Sequence, residues 1–342
     1  MSDLNTVARA LVAEGKGILA ADESAPTIKK RFDSIGVDST EANRRAYREL
    51  LFTTPGLGEF ISGVILFDET IRQQAADGTP LVEVLDRNGI VAGIKVDAGA
   101  KPLAGSPGEK VTEGLDGLRE RLAEYVTLGA RFTKWRAVIV IGDGLPSRYC
   151  IDANAEALAR FAALSQEAGL VPIVEPEVLM DGTHTIERCF EVSETALCSV
   201  FAALSRQRVV LEQMILKPSM VLSGKECPRQ ADVETVALQT VRCLRRAVPA
   251  AVPGIVFLSG GQPNEVATAH LNSMNASGRP HPWQVSFSYG RALQEAPLKA
   301  WAGRTANIKR AQDALHHRAR LNGAARHGTY SAAMEKELVG AA

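Results

Sequence analysis

The sequence predicts an α/β fold, a single (β/α)8 TIM barrel, and three observations carry that expectation. Eight short, apolar, β-rich runs bounded by turn residues recur at roughly even spacing along the 342 residues. Segments with helical periodicity separate them. No linker or low-complexity stretch interrupts the alternation, and the Gly-rich first turn of a doubly wound open sheet is missing. One domain over residues 1–342 is expected.

Taken in order, residues 1–16 read as an amphipathic leading helix and GILAA (17–21) as the first strand. Helical spacing follows in TEANRRAYRELL (40–51), then strands in GVILF (63–67) and AGIKV (92–96). The helix GLDGLRERLAEYVTLG (114–129) leads to the strand TKWRAVIV (133–140), and ANAEALARFAALSQEAG (153–169) to LVPIVEP (170–176). Next come the helix TALCSVFAALSRQR (195–208) and the strand LEQMILK (211–217). The helix DVETVALQTVRCLRRAV (232–248) opens with Asp232 placed as an N-cap. GIVFLS (254–259) and QVSFSY (284–289) complete the eight strands. Their nearly continuous apolar character is what burial of both faces demands. From about residue 323 the chain loses clean periodicity, which predicts a mobile C-terminal tail.

Composition narrows the function. Hydrophobic residues make up 46%, and Lys plus Arg equals Asp plus Glu at 39 each, so no net field favours nucleic acid or an anionic membrane. The N-terminal residues lack a secretory pattern and no apolar run is long enough to span a bilayer, which predicts a cytoplasmic protein. Five cysteines (Cys150, Cys189, Cys198, Cys227, Cys243) contain no CxxC pair and form an odd set, fitting neither a disulfide framework nor a zinc site. The six histidines show no HxH or HxxxH spacing. Neither a metal nor a cofactor is expected.

In such a barrel chemistry gathers where the strands end at the C-terminal mouth, and polar residues cluster there. The strand ends carry Asp22, Glu23 and Ser24; Asp68 and Glu69; Lys95 and Asp97; Lys134 and Arg136; Glu175 and Glu177; Lys217; Ser259, Gly260 and Gly261; and Ser288, Gly290 and Arg291. Period-two spacing puts Lys134 with Arg136, and Glu175 with Glu177, on one strand face each. Charges on adjacent buried strands are costly unless they surround a polar cavity. Lys217 taken alone is balanced between a snorkelling or ion-paired cation and a nucleophile. Asp68, Glu69 and Asp97 read better as structural or capping groups.

Two loops suit an anion. FLSGGQ and FSYGRAL place serine and glycine at neighbouring strand ends just before helices, and Arg291 adds charge. Lys95 and Arg136, with Arg31 and Ser24, suit a second anion across the mouth. A lysine in an apolar strand near another cation loses proton affinity, so its neutral amine can attack a carbonyl and form a Schiff base. Glu175 and Asp22 are placed to move the protons.

The runs GKGILAADES, EANRRAYRELL, GVILFDET, GIKVDAGAKPLAG, FTKWRAVI, GLVPIVEPEVL, ILKPSM, GIVFLSGGQ and FSYGRALQ, in this order over nearly the whole chain, resemble the class I fructose-1,6-bisphosphate aldolases. The resemblance implies reversible cleavage of fructose 1,6-bisphosphate to dihydroxyacetone phosphate and glyceraldehyde 3-phosphate by a homotetramer. It implies Lys217 as the Schiff-base lysine, Glu175 with Glu177 beside it as acid and base at the carbinolamine, Asp22 as the base at the C4 hydroxyl, and Lys134 as the organiser of charge. Ser259, Gly260, Gly261, Ser288, Gly290 and Arg291 would meet the C1 phosphate, and Lys95, Arg136, Ser24 and Arg31 the C6 phosphate. Sedoheptulose 1,7-bisphosphate or fructose 1-phosphate as preferred substrate, and a barrel that has lost turnover, stand as alternatives. Two departures are visible: Ser219 replaces the asparagine of animal members, and the last tyrosine is Tyr330 rather than a terminal residue.

Overall fold

In the computed structural model, which describes residues 3–278 and 280–336, eight parallel strands close into a barrel. They are β1 (Gly17–Ala21), β2 (Ile61–Leu66), β3 (Val91–Lys95), β4 (Phe132–Ile139), β5 (Val171–Val178), β6 (Ile215–Leu216), β7 (Gly254–Phe257) and β8 (Gln284–Tyr289). Each pairs with its sequence neighbours, and β1 pairs with β8 to close the ring. Helices between the strands, among them Glu41–Phe52, Arg148–Glu167, Ile186–Arg206 and Val233–Ala247, form the outer layer. The Asp232 side chain accepts the Thr235 N–H at 2.7 Å, the N-cap that the sequence predicts.

Alternation along β4 sets both the packing and the site. Trp135 and Ala137 face outward into the helix layer, with Trp135 stacked on Phe161 of Arg148–Glu167 at 5.6 Å between centroids. Lys134 and Arg136 turn to the other face. Close packing also fixes a glycine. The Phe132 ring lies 2.3 Å from where a Cβ of Gly93 would sit, so any side chain there clashes with the barrel interior.

The N-terminal helix Leu4–Leu11, capped by Asp3, lies under the barrel. Its Val7, Ala8 and Leu11, with Val12 beyond it, join Ile18, Ile65, Phe132, Val171, Ile173, Ile215 and Val256 in one apolar floor. Arg326 seals the edge of this floor. Its guanidinium is buried and donates to the carbonyls of Val12 (2.7 Å), Ala13 (3.1 Å), Lys16 (3.2 Å) and Val285 (3.0 Å). Burial pushes its pKa down to about 10, against a smaller opposing pull from Glu14.

Two stretches differ from expectation. Residues 211–217 do not form a full strand: Leu211–Gln213 is a 3-10 turn and only Ile215–Leu216 is strand. Lys217 extends the pairing by donating its N–H to the Val174 carbonyl at 2.8 Å, and Pro218, lacking an N–H, stops it there. After β3 the chain adds a two-stranded hairpin, Ala100–Pro102 with Lys110–Thr112, which the periodicity does not announce. The stretch from about residue 323, predicted as a mobile tail, begins inside the helix Ile308–Arg326 and continues through a 3-10 turn at Ala332–Lys336. Arg318 holds that turn through Glu335 at 2.7 Å. Residues 337–342 lie outside the described residues. No helix among the described residues is long and apolar enough to cross a membrane.

Candidate active site

The strand ends enclose a cleft of about 310 Å³ at the C-terminal mouth. All fifteen site residues expected from the sequence line it: Asp22, Ser24, Arg31, Lys95, Lys134, Arg136, Glu175, Glu177, Lys217, Ser259, Gly260, Gly261, Ser288, Gly290 and Arg291.

At its base sits a buried charge cluster. The Lys134 ammonium reaches across the mouth from β4, 3.0 Å from Asp22 Oδ2 at the end of β1 and 2.8 Å from Glu175 Oε2 on β5. Glu175 Oε1 in turn lies 3.5 Å from Lys217 Nζ. Lys134 and Lys217 are 4% and 3% exposed, so solvent does little to screen these charges. Their protonation diverges for a physical reason. Burial pushes the Lys217 pKa below the ordinary lysine value, and the Lys134 charge adds to this against the opposing pull of Glu175 and Asp22. Burial would lower Lys134 as well, but Asp22 and Glu175 outweigh it and hold that ammonium well above the usual range. For Asp22 the opposite sign applies: burial favours the neutral acid, yet Lys134, Lys217 and Lys95 together hold the carboxyl well below the usual range.

The β7 and β8 ends form a second element. Gly260 (φ +56°) and Gly261 (φ +92°) adopt left-handed backbone that keeps the turn open toward the cleft. Ser288 Oγ is buried and has no hydrogen-bond partner. Arg291, in the first turn of the helix Arg291–Trp301, donates to the Gln262 carbonyl and so ties the two loops together. A buried orphan hydroxyl, a helix N-terminus and an arginine are features that suit an anion.

Arg31 reaches toward the β8 end. Its Nη2 is 3.5 Å from where a Cβ of Gly290 would lie, which puts it beside the β8 end. Glu23 is the cause. This carboxylate, which sequence reasoning left out of the site, pairs with both Arg31 and buried Arg48 and accepts from Gln294 Nε2 at 2.7 Å. Thr27 was also left out; its Oγ1 lies 3.2 Å from Ser24 Oγ, one turn into the helix Ala25–Asp33. On the other side Lys95 Nζ lies 3.5 Å from Asp97, and Arg136 pairs with Glu177. Asp97 also accepts the Arg136 N–H at 3.2 Å, in keeping with the structural role expected of it. Ser219 Oγ donates to the Val178 carbonyl at 2.8 Å, outside the charge cluster. Tyr330 is not at the cleft; it lines an outer groove between Val233–Ala247 and Asn264–Ala276, where its hydroxyl meets Glu335 at 2.9 Å.

An amine of lowered basicity beside Glu175, with the Lys134–Asp22 pair next to it and a loop suited to an anion across the cleft, suits covalent work on a phosphorylated carbonyl compound. The sequence profile described as fructose-bisphosphate aldolase class-I matches residues 3–341. This chain belongs to the class-I fructose-bisphosphate aldolase family. A relative from Xanthomonas axonopodis pv. citri, named "Probable fructose-bisphosphate aldolase class 1", is 61% identical over 331 residues, covering 96% of this chain and 99% of that one. The cytoplasmic isozyme of fructose-bisphosphate aldolase from Spinacia oleracea is 54% identical over 320 residues, covering 94% of this chain and 89% of that one. The fructose-bisphosphate aldolase of Plasmodium falciparum, solved in complex with TRAP and a small molecule inhibitor, superposes with a TM-score of 0.95 at 52% identity, covering 96% of this chain and 95% of that one. Aldolases of class I are metal-independent lyases, and the enzyme described here is one of them.

Proposed function

We propose that this aldolase splits fructose 1,6-bisphosphate in the cytoplasm through a Schiff base on Lys217. The observation that carries the reading is the buried Lys217 amine, 3.5 Å from Glu175, with Lys134 as the neighbouring permanent cation. The neutral amine attacks the C2 carbonyl. Glu175 accepts a proton from solvent and relays it to the carbinolamine oxygen, which leaves as water, and the iminium forms. Asp22, ionised through its pairing with Lys134, takes the C4 hydroxyl proton. Electrons of the C3–C4 bond then pass into the iminium, giving an enamine and glyceraldehyde 3-phosphate. Protonation at C3 and hydrolysis release dihydroxyacetone phosphate and restore the amine.

Lys134 keeps Asp22 and Glu175 placed for their separate proton transfers, and Glu177 holds Arg136 at the rim. Ser259, Gly260, Gly261, Ser288, Gly290 and Arg291 receive the C1 phosphate, with Arg31 beside them. Lys95, Arg136 and Ser24 face the other phosphate. Cations at both ends of the cleft favour a bisphosphate over fructose 1-phosphate. Sedoheptulose 1,7-bisphosphate shares that feature, and turnover on the three sugars ranks them. The retained amine, acid and base disfavour a barrel without turnover. A homotetramer is our reading of the assembly, and sedimentation of the purified chain tests it. The cytoplasmic location is supported by relatives named as cytosolic or cytoplasmic enzymes.

Borohydride reduction in the presence of dihydroxyacetone phosphate is expected to add the triose mass to the peptide containing Lys217. Labelling of any other lysine refutes the assignment. Activity is expected to survive EDTA.

A further inference from the structure

One buried histidine has no part in the chemistry above. His270 sits in the helix Asn264–Ala276, 4% exposed, and its Nδ1 lies 2.7 Å from Oε1 of Gln262, itself 2% exposed. Gln262 closes the phosphate-side turn. Its backbone N–H donates to the Ser259 carbonyl at 2.9 Å, its side-chain Nε2 donates to the same carbonyl at 3.0 Å, and its own carbonyl accepts from Arg291.

The acceptor-only Ser259 carbonyl fixes the direction of every bond in this chain. It must receive the amide NH2 of Gln262, so Oε1 points to His270, and His270 Nδ1 must carry the proton that it donates. Burial pushes the His270 pKa down to about 4, so the ring is neutral at ordinary working pH and holds this tautomer without a charge. Removing the ring donor leaves Oε1 unpaired in a buried place, and the cheapest relief is rotation of the Gln262 side chain. That rotation takes away one of the two donors of the Ser259 carbonyl and leaves it only the Gln262 backbone N–H. It also loosens the perch of Arg291.

We propose that His270 is a positioning residue for substrate phosphate: through Gln262 it holds the 259–262 turn and Arg291 in the geometry that receives the anion. It touches neither substrate nor the reacting atoms. The inference rests on the assignment of this loop to the C1 phosphate.

The test uses H270F, Q262L and the double variant H270F/Q262L, with R291A as the control on the assignment. The double variant replaces both polar partners by apolar groups and leaves no buried atom unpaired, so it folds even where a single variant does not. In it, KM for fructose 1-phosphate and the inhibition constant of inorganic phosphate are expected to rise together by about tenfold, while kcat changes by less than about twofold. A melting temperature that falls while both constants stay at wild-type values overturns the proposal, since a merely structural histidine behaves so. So does a loss confined to kcat. If R291A also leaves the phosphate inhibition constant unchanged, the loop assignment itself is wrong; if R291A weakens phosphate and H270F/Q262L does not, only the role of His270 is.

Discussion

The floor and the mouth of this barrel are built on the same eight strands and are buried to similar depth, yet they solve opposite problems. At the floor Leu11, Ile18, Phe132, Ile173 and Ile215 fill the space with hydrocarbon, and the single guanidinium of Arg326 meets only carbonyl oxygens. At the mouth the same strands carry Lys134, Glu175 and Lys217, each at most 4% exposed. Apolar floor packing is favourable for each side chain separately. Buried charges are tolerable only as a set, because each is desolvated at a cost that its partners must offset. The difference teaches that stability and reactivity are separated along the barrel axis, and that damage at one end should leave the other largely intact.

Four experiments break or sharpen that separation, the largest effect first. Lys217→Met is expected to reduce kcat by about 10⁴-fold or more, since the nucleophile is gone, while the fold tolerates an apolar replacement of similar length; steady-state cleavage and calorimetry measure the two. Lys134→Met should lower kcat by about 10²- to 10³-fold. It also removes a positive charge that depresses the Lys217 pKa. The protonated form of Lys217 is then favoured, so the rise of kcat/KM with pH should move to higher pH; a shift to lower pH contradicts the electrostatic account.

Arg326→Met at the floor should cost about 3 kcal/mol of stability, because several buried carbonyls lose their donor, with kcat unchanged; denaturant melts and assays on one preparation decide this. Should kcat collapse with it, floor and mouth are coupled. The smallest effect is expected for Glu177→Gln at the rim. Its partner Arg136 is 42% exposed at the side chain, and kcat/KM should fall by about three- to tenfold.

The sequence made the barrel legible because each strand is an apolar run too short for a helix and bounded by turn residues. The mouth was legible because charges in such runs have no structural excuse. Less visible were features set by contacts between distant segments. Nothing local tells that Glu23 pulls Arg31 toward Gly290, since the decision is made by Arg48 and Gln294 from other elements. The 3-10 turn at Leu211–Gln213 was hidden by side chains that suit a strand equally well. The placement of residues 323–336 involves single polar anchors, Arg326 under the barrel and Glu335 on Arg318, which leave no periodic trace.

The arrangement around Lys134 has a further consequence for the proposed chemistry. Two carboxylates, Asp22 and Glu175, share one permanent ammonium, so whenever Lys217 is in its neutral, nucleophilic form these four groups carry one uncompensated negative charge. An iminium on Lys217 supplies the missing cation. Within this four-residue cluster the covalent intermediate, rather than the free amine, is then the charge-balanced state, which favours the adduct over the uncharged amine.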